Sequence, residues 1–139
     1  MEISRKTLAD TTFSMERNLL DHIISTYLGD STDEDAIRLL LLPAAARHVV
    51  KHLQAEKAWI VTSYETRYGL RQLVQCTKLS KDPVNELLVH SKDGKMTLTG
   101  HFLERHDIEL KYPGFPALQF GRGKKKLFYP LELLDILFL

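Results

Sequence analysis

The spacing of apolar side chains along this chain changes period near Lys57. Before it the period is mostly helical. Residues 3–13, "ISRKTLADTTF", are β-permissive, and Ser14 is placed to cap a helix in the following stretch. There "MERNLLDHIISTYL" sets Met15, Leu19, Leu20, Ile23, Ile24, Tyr27 and Leu28 at helical spacing until Gly29 stops it. "STDEDAIRLLLL" offers Thr32 as an N-cap, with acidic residues in the first turn where they suit the helix dipole. Pro43 fits best in the first turn of another helix, "PAAARHVVKHLQAEK".

From Ala58 onward the pattern is that of short strands. "AWIVTSY" and "LRQLVQCTKL" are β-rich and separated by "ETRYG", a plausible hairpin connection. Lys81, Asp82 and Pro83 read as a loop. "NELLVHS" and "KMTLT" flank Lys92, Asp93 and Gly94, and Asp-Gly is a strong short-hairpin dipeptide. "GHFLERHD" makes about two turns of helix from Gly100. Short strands then follow around 108–110, 117–120 and 126–129, punctuated by Pro113, Pro116, Gly121, Gly123 and Pro130. Many short strands with frequent turns indicate a small barrel. The pattern as a whole predicts an α+β fold: N-terminal helices, then a small β-barrel carrying an inserted hairpin-and-helix appendage.

Length and composition narrow the class. The 139 residues suffice for one domain, residues 1–139, and 44% hydrophobic with 27% charged residues is an ordinary globular balance. No stretch approaches the roughly 20 apolar residues of a membrane span, so no membrane partner is expected. "MEISRKTLAD" has no apolar centre of the kind a signal peptide needs. Cys76 is the sole cysteine, which leaves no internal disulfide and points to an intracellular setting, cytoplasm or nucleus. His48 and His52 stand four apart, but two histidines alone rarely hold a metal. No metal or cofactor is expected.

The sequence carries no phosphate-cradling Gly-rich loop with its Lys, no Gly-x-Ser-x-Gly elbow and no His-x-Glu with paired cysteines. Asp33, Glu34 and Asp35 fit a helix start, and Cys76 lies in an apolar alternating run. The expectation is a protein that is not an enzyme. Charge is uneven instead: residues 1–70 hold 8 Lys+Arg against 10 Asp+Glu, and residues 71–139 hold 11 against 8. The densest run is "GRGKKK", with Arg122, Lys124, Lys125 and Lys126, flanked by Phe120, Phe128 and Tyr129. A basic loop beside aromatic surfaces suits a single-stranded nucleic acid.

Residues 100–137, "GHFLERHDIELKYPGFPALQFGRGKKKLFYPLELLDIL", resemble the end of the PAZ domain of Argonaute proteins. The ordered elements are Phe102 and Arg105, then Leu110-Lys111-Tyr112-Pro113, Pro116-Ala117-Leu118-Gln119, the Gly- and Lys-containing loop 121–126, and Pro130-Leu131-Glu132. Upstream, "TTFSMERNLLDHIISTYL" is similar to the family's opening strand and amphipathic helix, and "PAAARHVVKHLQAEKAWIVTSY" to its second helix and next strand. The resemblance covers nearly the whole chain. It implies an OB-like barrel with the hairpin-and-helix appendage, a domain excised from a larger Argonaute-type protein, and the other domains of that protein as partners.

It also implies binding of the 3′ end of a small single-stranded RNA between barrel and appendage, with the terminal base stacked on an aromatic ring and the 2′-hydroxyl as the handle that marks RNA. Carried over by position, His101 stands at the family's helix tyrosine and His106 at its second aromatic-or-histidine position, with Arg105 keeping the basic residue between them. Lys125, between Lys124 and Lys126, falls on the loop lysine, and Phe128 on a tyrosine before the closing proline. Arg71 or Tyr68 falls on a strand tyrosine, Ser63 or Tyr64 on a histidine, and Leu87 on the appendage's stacking phenylalanine. The aromatic cage is thus thinner than the family's. The second reading is therefore a PAZ-like domain with a degenerate pocket, acting as a scaffold or protein-interaction module. Spaced five apart on a helix, His101 and His106 are expected on different sides of it.

Overall fold

The computed structural model describes residues 1–66, 69–91, 94–121 and 126–139. The chain begins with strand β1 (Glu2–Ser4) and a short helix α1 (Arg5–Asp10), so only part of the β-permissive stretch 3–13 is a strand. Ser4 starts the helix: its side chain accepts from the Thr7 backbone N–H at 3.1 Å. β2 (Met15–Asn18) follows, so the first turn of the helix expected after Ser14 is a strand instead. It pairs with the C-terminal strand β10 (Leu134–Phe138), and Ser14 hydrogen-bonds the Phe138 carbonyl rather than capping. A cross-sheet ladder has overridden local propensity here. The cap falls to Asn18, which accepts from the Asp21 N–H at 3.2 Å and opens α2 (Leu19–Tyr27).

α3 (Asp33–Leu40) and α4 (Pro43–Ala55) begin as the sequence indicates, with Thr32 as cap and Pro43 in the first turn. β3 (Ala58–Thr62), β4 (Leu70–Val74) and β5 (Lys78–Pro83) come next. The single β-rich run 70–79 is therefore split, and the loop expected at 81–83 is the end of β5. Pro83 is tolerated there because β5 lies at a sheet edge and its register slips between Leu79 and Pro83. A one-turn 3₁₀ helix (Val84–Glu86) leads to the hairpin β6 (Leu88–Ser91) and β7 (Gly94–Thr97), then α5 (Leu98–His106). β8 (Pro116–Phe120), β9 (Leu127–Pro130), a 3₁₀ turn (Leu131–Leu133) and β10 complete the chain.

Residues 108–110 are not a strand, contrary to expectation. Asp107 adopts a left-handed conformation (φ 53°), and its N–H closes α5 on the Leu103 carbonyl at 3.1 Å. The Lys111 and Tyr112 N–H groups then donate to the Glu132 carboxylate at 3.0 and 2.9 Å. These donors are satisfied without a ladder.

The strands pair antiparallel as three open sheets, in the orders β1-β4-β3-β10-β2, β5-β8-β9 and β6-β7. No ladder among the described residues closes them into the expected barrel. The two larger sheets nonetheless share one core: Leu79 and Leu118 join Ile60, Val74, Leu134 and Ile136, packed beneath α2, α3 and α4. A second apolar cluster of Val84, Leu87, Leu98, Phe102, Leu110 and Ala117 fastens the hairpin and α5 to the three-stranded sheet. This appendage forms one wall of the cleft described next.

Candidate nucleic-acid interface

α5 faces β9 across a cavity of about 630 Å³. Thr97 begins the helix by accepting from the Gly100 N–H at 3.0 Å. Phe102, buried in the second core, orients the helix so that residues to either side of it line the opening. His101 and His106 both line it, their ring centroids 5.9 Å apart. Five apart within α5 they flank Phe102, with His106 one turn beyond it (5.3 Å), and the cavity reaches both, so neither is a plain surface histidine. Tyr64, just past β3, completes the group at 4.9 Å from His106 and 5.4 Å from Phe102.

The environment disfavours protonation of the two imidazoles. Burial lowers the pKa of His101, with His106 and Arg105 acting in the same direction and Glu104 opposing. Burial, then Arg105, likewise lowers that of His106. The Tyr64 hydroxyl is pushed above the ordinary phenol value by burial and then by Tyr129, so it remains a hydrogen-bond donor at any physiological pH.

Of the positions singled out in the sequence, the structure brings Tyr64, Leu87, His101, His106, Lys126 and Phe128 to this cavity. Leu87 is buried in the second core and meets the cavity along one side, and Phe128 is half-buried against the same cluster. Arg105 is exposed on α5 and does not line the cavity. Arg71 lies elsewhere, in the five-stranded sheet, donating to Asp135 Oδ2 at 2.8 Å and to the Thr62 carbonyl. Tyr68, Lys124 and Lys125 lie outside the described residues.

Sequence reasoning did not single out Phe102 as a lining group, nor Tyr129, His90, Asp82 or Glu86. Tyr129 was signalled only as one of the aromatics flanking the basic run 121–126. Asp82 and Glu86 carried no signal, since nothing in their spacing predicts the turn after β5. Their carboxylates matter: among the described residues the cavity holds these two acids and one permanent cation, Lys126. What the described residues offer there is chiefly stacking and hydrogen bonding.

Other candidate chemistry is quiet. His48 and His52 do share a face of α4, their Nε2 atoms 3.1 Å apart, but no group of three or more metal-ligating side chains occurs among the described residues. Burial pushes the Cys76 thiol up to about 11, leaving it protonated at neutral pH. No helix among the described residues is long and apolar enough to cross a membrane.

A cleft between a hairpin-and-helix appendage and a β-sheet core, walled by aromatic and imidazole rings, matches the family resemblance, and direct comparison decides the matter. The PAZ domain model matches residues 41–138. This chain belongs to the PAZ domain family. The fold agrees with solved PAZ domains. A Drosophila Ago PAZ domain in complex with 3′-end 2′-O-methylated RNA superposes with a TM-score of 0.63 at 17% identity, over 87% of this chain and 98% of that one. A structure of the Drosophila Argonaute 2 PAZ domain, described as the basis for 3′ end recognition of nucleic acids, gives 0.60 at 17% identity, over 88% and 95%. Another Drosophila Argonaute2 PAZ structure, concerned with nucleic-acid binding, gives 0.61 at 18%, over 84% and 95%. No curated protein matches the chain by sequence.

Proposed function

We propose that this PAZ domain binds the 3′ end of a small single-stranded RNA, as the end-anchoring module of an Argonaute-type protein in RNA silencing, with the other domains of that protein as its partners. The observation that carries the reading is the ring cluster of Tyr64, His101 and His106, backed by the buried Phe102, in the cleft between α5 and β9. Rings give a base something to stack on whatever its identity, and the neutral imidazoles and the Tyr64 hydroxyl offer hydrogen bonds to the terminal ribose and phosphate. The core shared by the two larger sheets supports reading them as the halves of an OB-like barrel, an architecture used for single strands.

The two carboxylates in the cleft, with aliphatic Leu87 at the stacking position, favour a second reading: a pocket that has lost its ligand and serves as a scaffold or protein-interaction surface. Fluorescence anisotropy of a 5′-labelled single-stranded RNA, with a free or a phosphorylated 3′ end, separates the two. End binding requires preference for the free end, and His106→Ala should weaken it by roughly 1–2 kcal/mol through lost stacking. Equal binding of both ends, or none at low salt, favours the scaffold.

A further inference from the structure

On the other side of β5 lies a second groove, of about 690 Å³, between α4 and the three-stranded sheet. Among the described residues its charge is the reverse of the cleft's. Arg47 and Lys51 from α4, Lys78 and Lys81 from β5, and Lys126 before β9 all line it, and no acidic side chain among the described residues does. None of the five forms an ion pair with a described residue, and all five are exposed. Five cations along one groove, none paired with a described residue, repel one another unless an anion lies among them.

Three of the neutral polar side chains of the same walls are already engaged. Gln54 donates its amide to the Cys76 carbonyl at 2.7 Å, and the Thr77 hydroxyl donates to the Gln119 carbonyl. Ser80 donates to the Asp82 carbonyl at 2.7 Å and accepts from the Ala117 N–H at 2.8 Å. What remains besides the Gln119 amide is mainly charge, and a single amide is too few donors and acceptors to read a run of base edges. Such a groove recognises a chain of phosphates without regard to sequence.

The two sites also meet. Lys126 lines both, and β5 divides them, with Lys78 and Lys81 toward the groove and Asp82 toward the cleft. We infer that the groove between α4 and β5 carries the phosphodiester backbone of the same RNA strand, upstream of the end held in the cleft. This rests on the end-binding reading and divides the labour within it: the cleft reads the terminus, and the groove supplies most of the electrostatic affinity.

The test is an amide NMR titration with two single-stranded RNAs, a dinucleotide and a decamer, both with free 3′ ends, on the native chain and on Arg47→Gln/Lys51→Gln. The dinucleotide should shift only amides around Tyr64, His101 and His106, whereas the decamer should also shift Lys51, Lys78 and Ser80. Removing two phosphate contacts should lower the log–log salt slope for the decamer by about 1.4 and weaken it roughly tenfold, with dinucleotide affinity and melting temperature unchanged. A decamer that binds no better than the dinucleotide, or a double variant with unaltered decamer affinity and slope, overturns the groove assignment and leaves end binding standing. Poly-glutamate that shifts the groove amides when the decamer does not would overturn it in favour of an acidic protein segment. A dinucleotide that leaves the cleft amides unmoved is the separate failure of the end-binding reading, and takes this inference with it.

Discussion

Replacing Arg71 should cost stability, not RNA binding. Its guanidinium donates to Asp135 Oδ2 at 2.8 Å and to the Thr62 carbonyl, and it stands 3.8 Å from Glu16, tying β4, β3, β10 and β2 together. The Arg71 and Asp135 side chains are only 17% and 19% exposed, so solvent screens the pair weakly. A hydrogen bond to a charged group contributes about 1.5–3 kcal/mol, and removing one partner strands the other. We expect Arg71→Ala to cost about 2–3 kcal/mol. An unfolding entropy of roughly 2.1 cal/mol/K per residue then corresponds to a fall in Tm of about 7–10 °C for a chain of this length.

The cost should also depend on pH. Burial raises the pKa of Asp135 above the ordinary carboxylate value; Arg71 pulls it down, and Glu16 adds to the rise. A raised carboxyl contributes stability below its unfolded pKa and loses it as pH climbs through the folded value. Without Arg71 the folded value rises further, so the deficit is largest near neutrality and shrinks on acidification. Urea unfolding of Arg71→Ala, Asp135→Asn and the double variant at pH 7 and pH 5 measures this. With Asp135→Asn already in place, the arginine change should cost only about 1 kcal/mol, the value of the remaining carbonyl bond. Additive costs with no pH dependence would refute the pairing. A large loss of RNA affinity in a still-folded Arg71→Ala would refute its purely structural placement.

Two further outcomes follow from the cleft. Because burial and Arg105 lower the pKa of both His101 and His106, an NMR titration of Arg105→Ala should show both rising; two unchanged values would mean that Arg105 exerts no field at the cleft. Bound phosphate should raise them too, so RNA affinity should grow as pH falls from the bound value toward the free one, below about 6.5, and His101→Tyr should flatten that profile. Phe102, 3% exposed at the centre of the appendage's core, should cost about 3–4 kcal/mol on replacement by Ala; loss of α5 protection in hydrogen exchange ahead of the five-stranded sheet would locate the damage.

The legible parts of this fold were those set by local chemistry. Thr32 and Pro43 announce helices through a cap and a fixed φ, and the sequence places both starts where they occur. What it hides is set by distant partners. Met15 to Asn18 read as helix because their ladder partner, β10, lies more than a hundred residues away, and residues 108–110 read as strand because nothing local reveals that Glu132 takes the next two N–H groups. The candidate site divides in the same way. His101, His106 and Phe128 were recoverable from a colinear motif, whereas Asp82, Glu86 and His90 reach the cleft through the path of β5 and the hairpin, which periodicity does not encode. The basic groove was invisible for that reason: Arg47 and Lys51 sit in a half of the chain with net negative charge, and only folding sets them beside Lys78 and Lys81.

The central claim, that the cleft between α5 and β9 holds an RNA 3′ terminus, is tested most directly by photocrosslinking. A single-stranded RNA carrying 4-thiouridine as its last nucleotide, irradiated on the domain and digested for mass spectrometry, should attach to peptides containing Tyr64, His101 to His106, or Phe128 and Tyr129. Moving the thiouridine to the 5′ end should abolish those adducts. Terminal adducts that fall elsewhere, or cleft adducts that persist when the label is moved, would contradict the account.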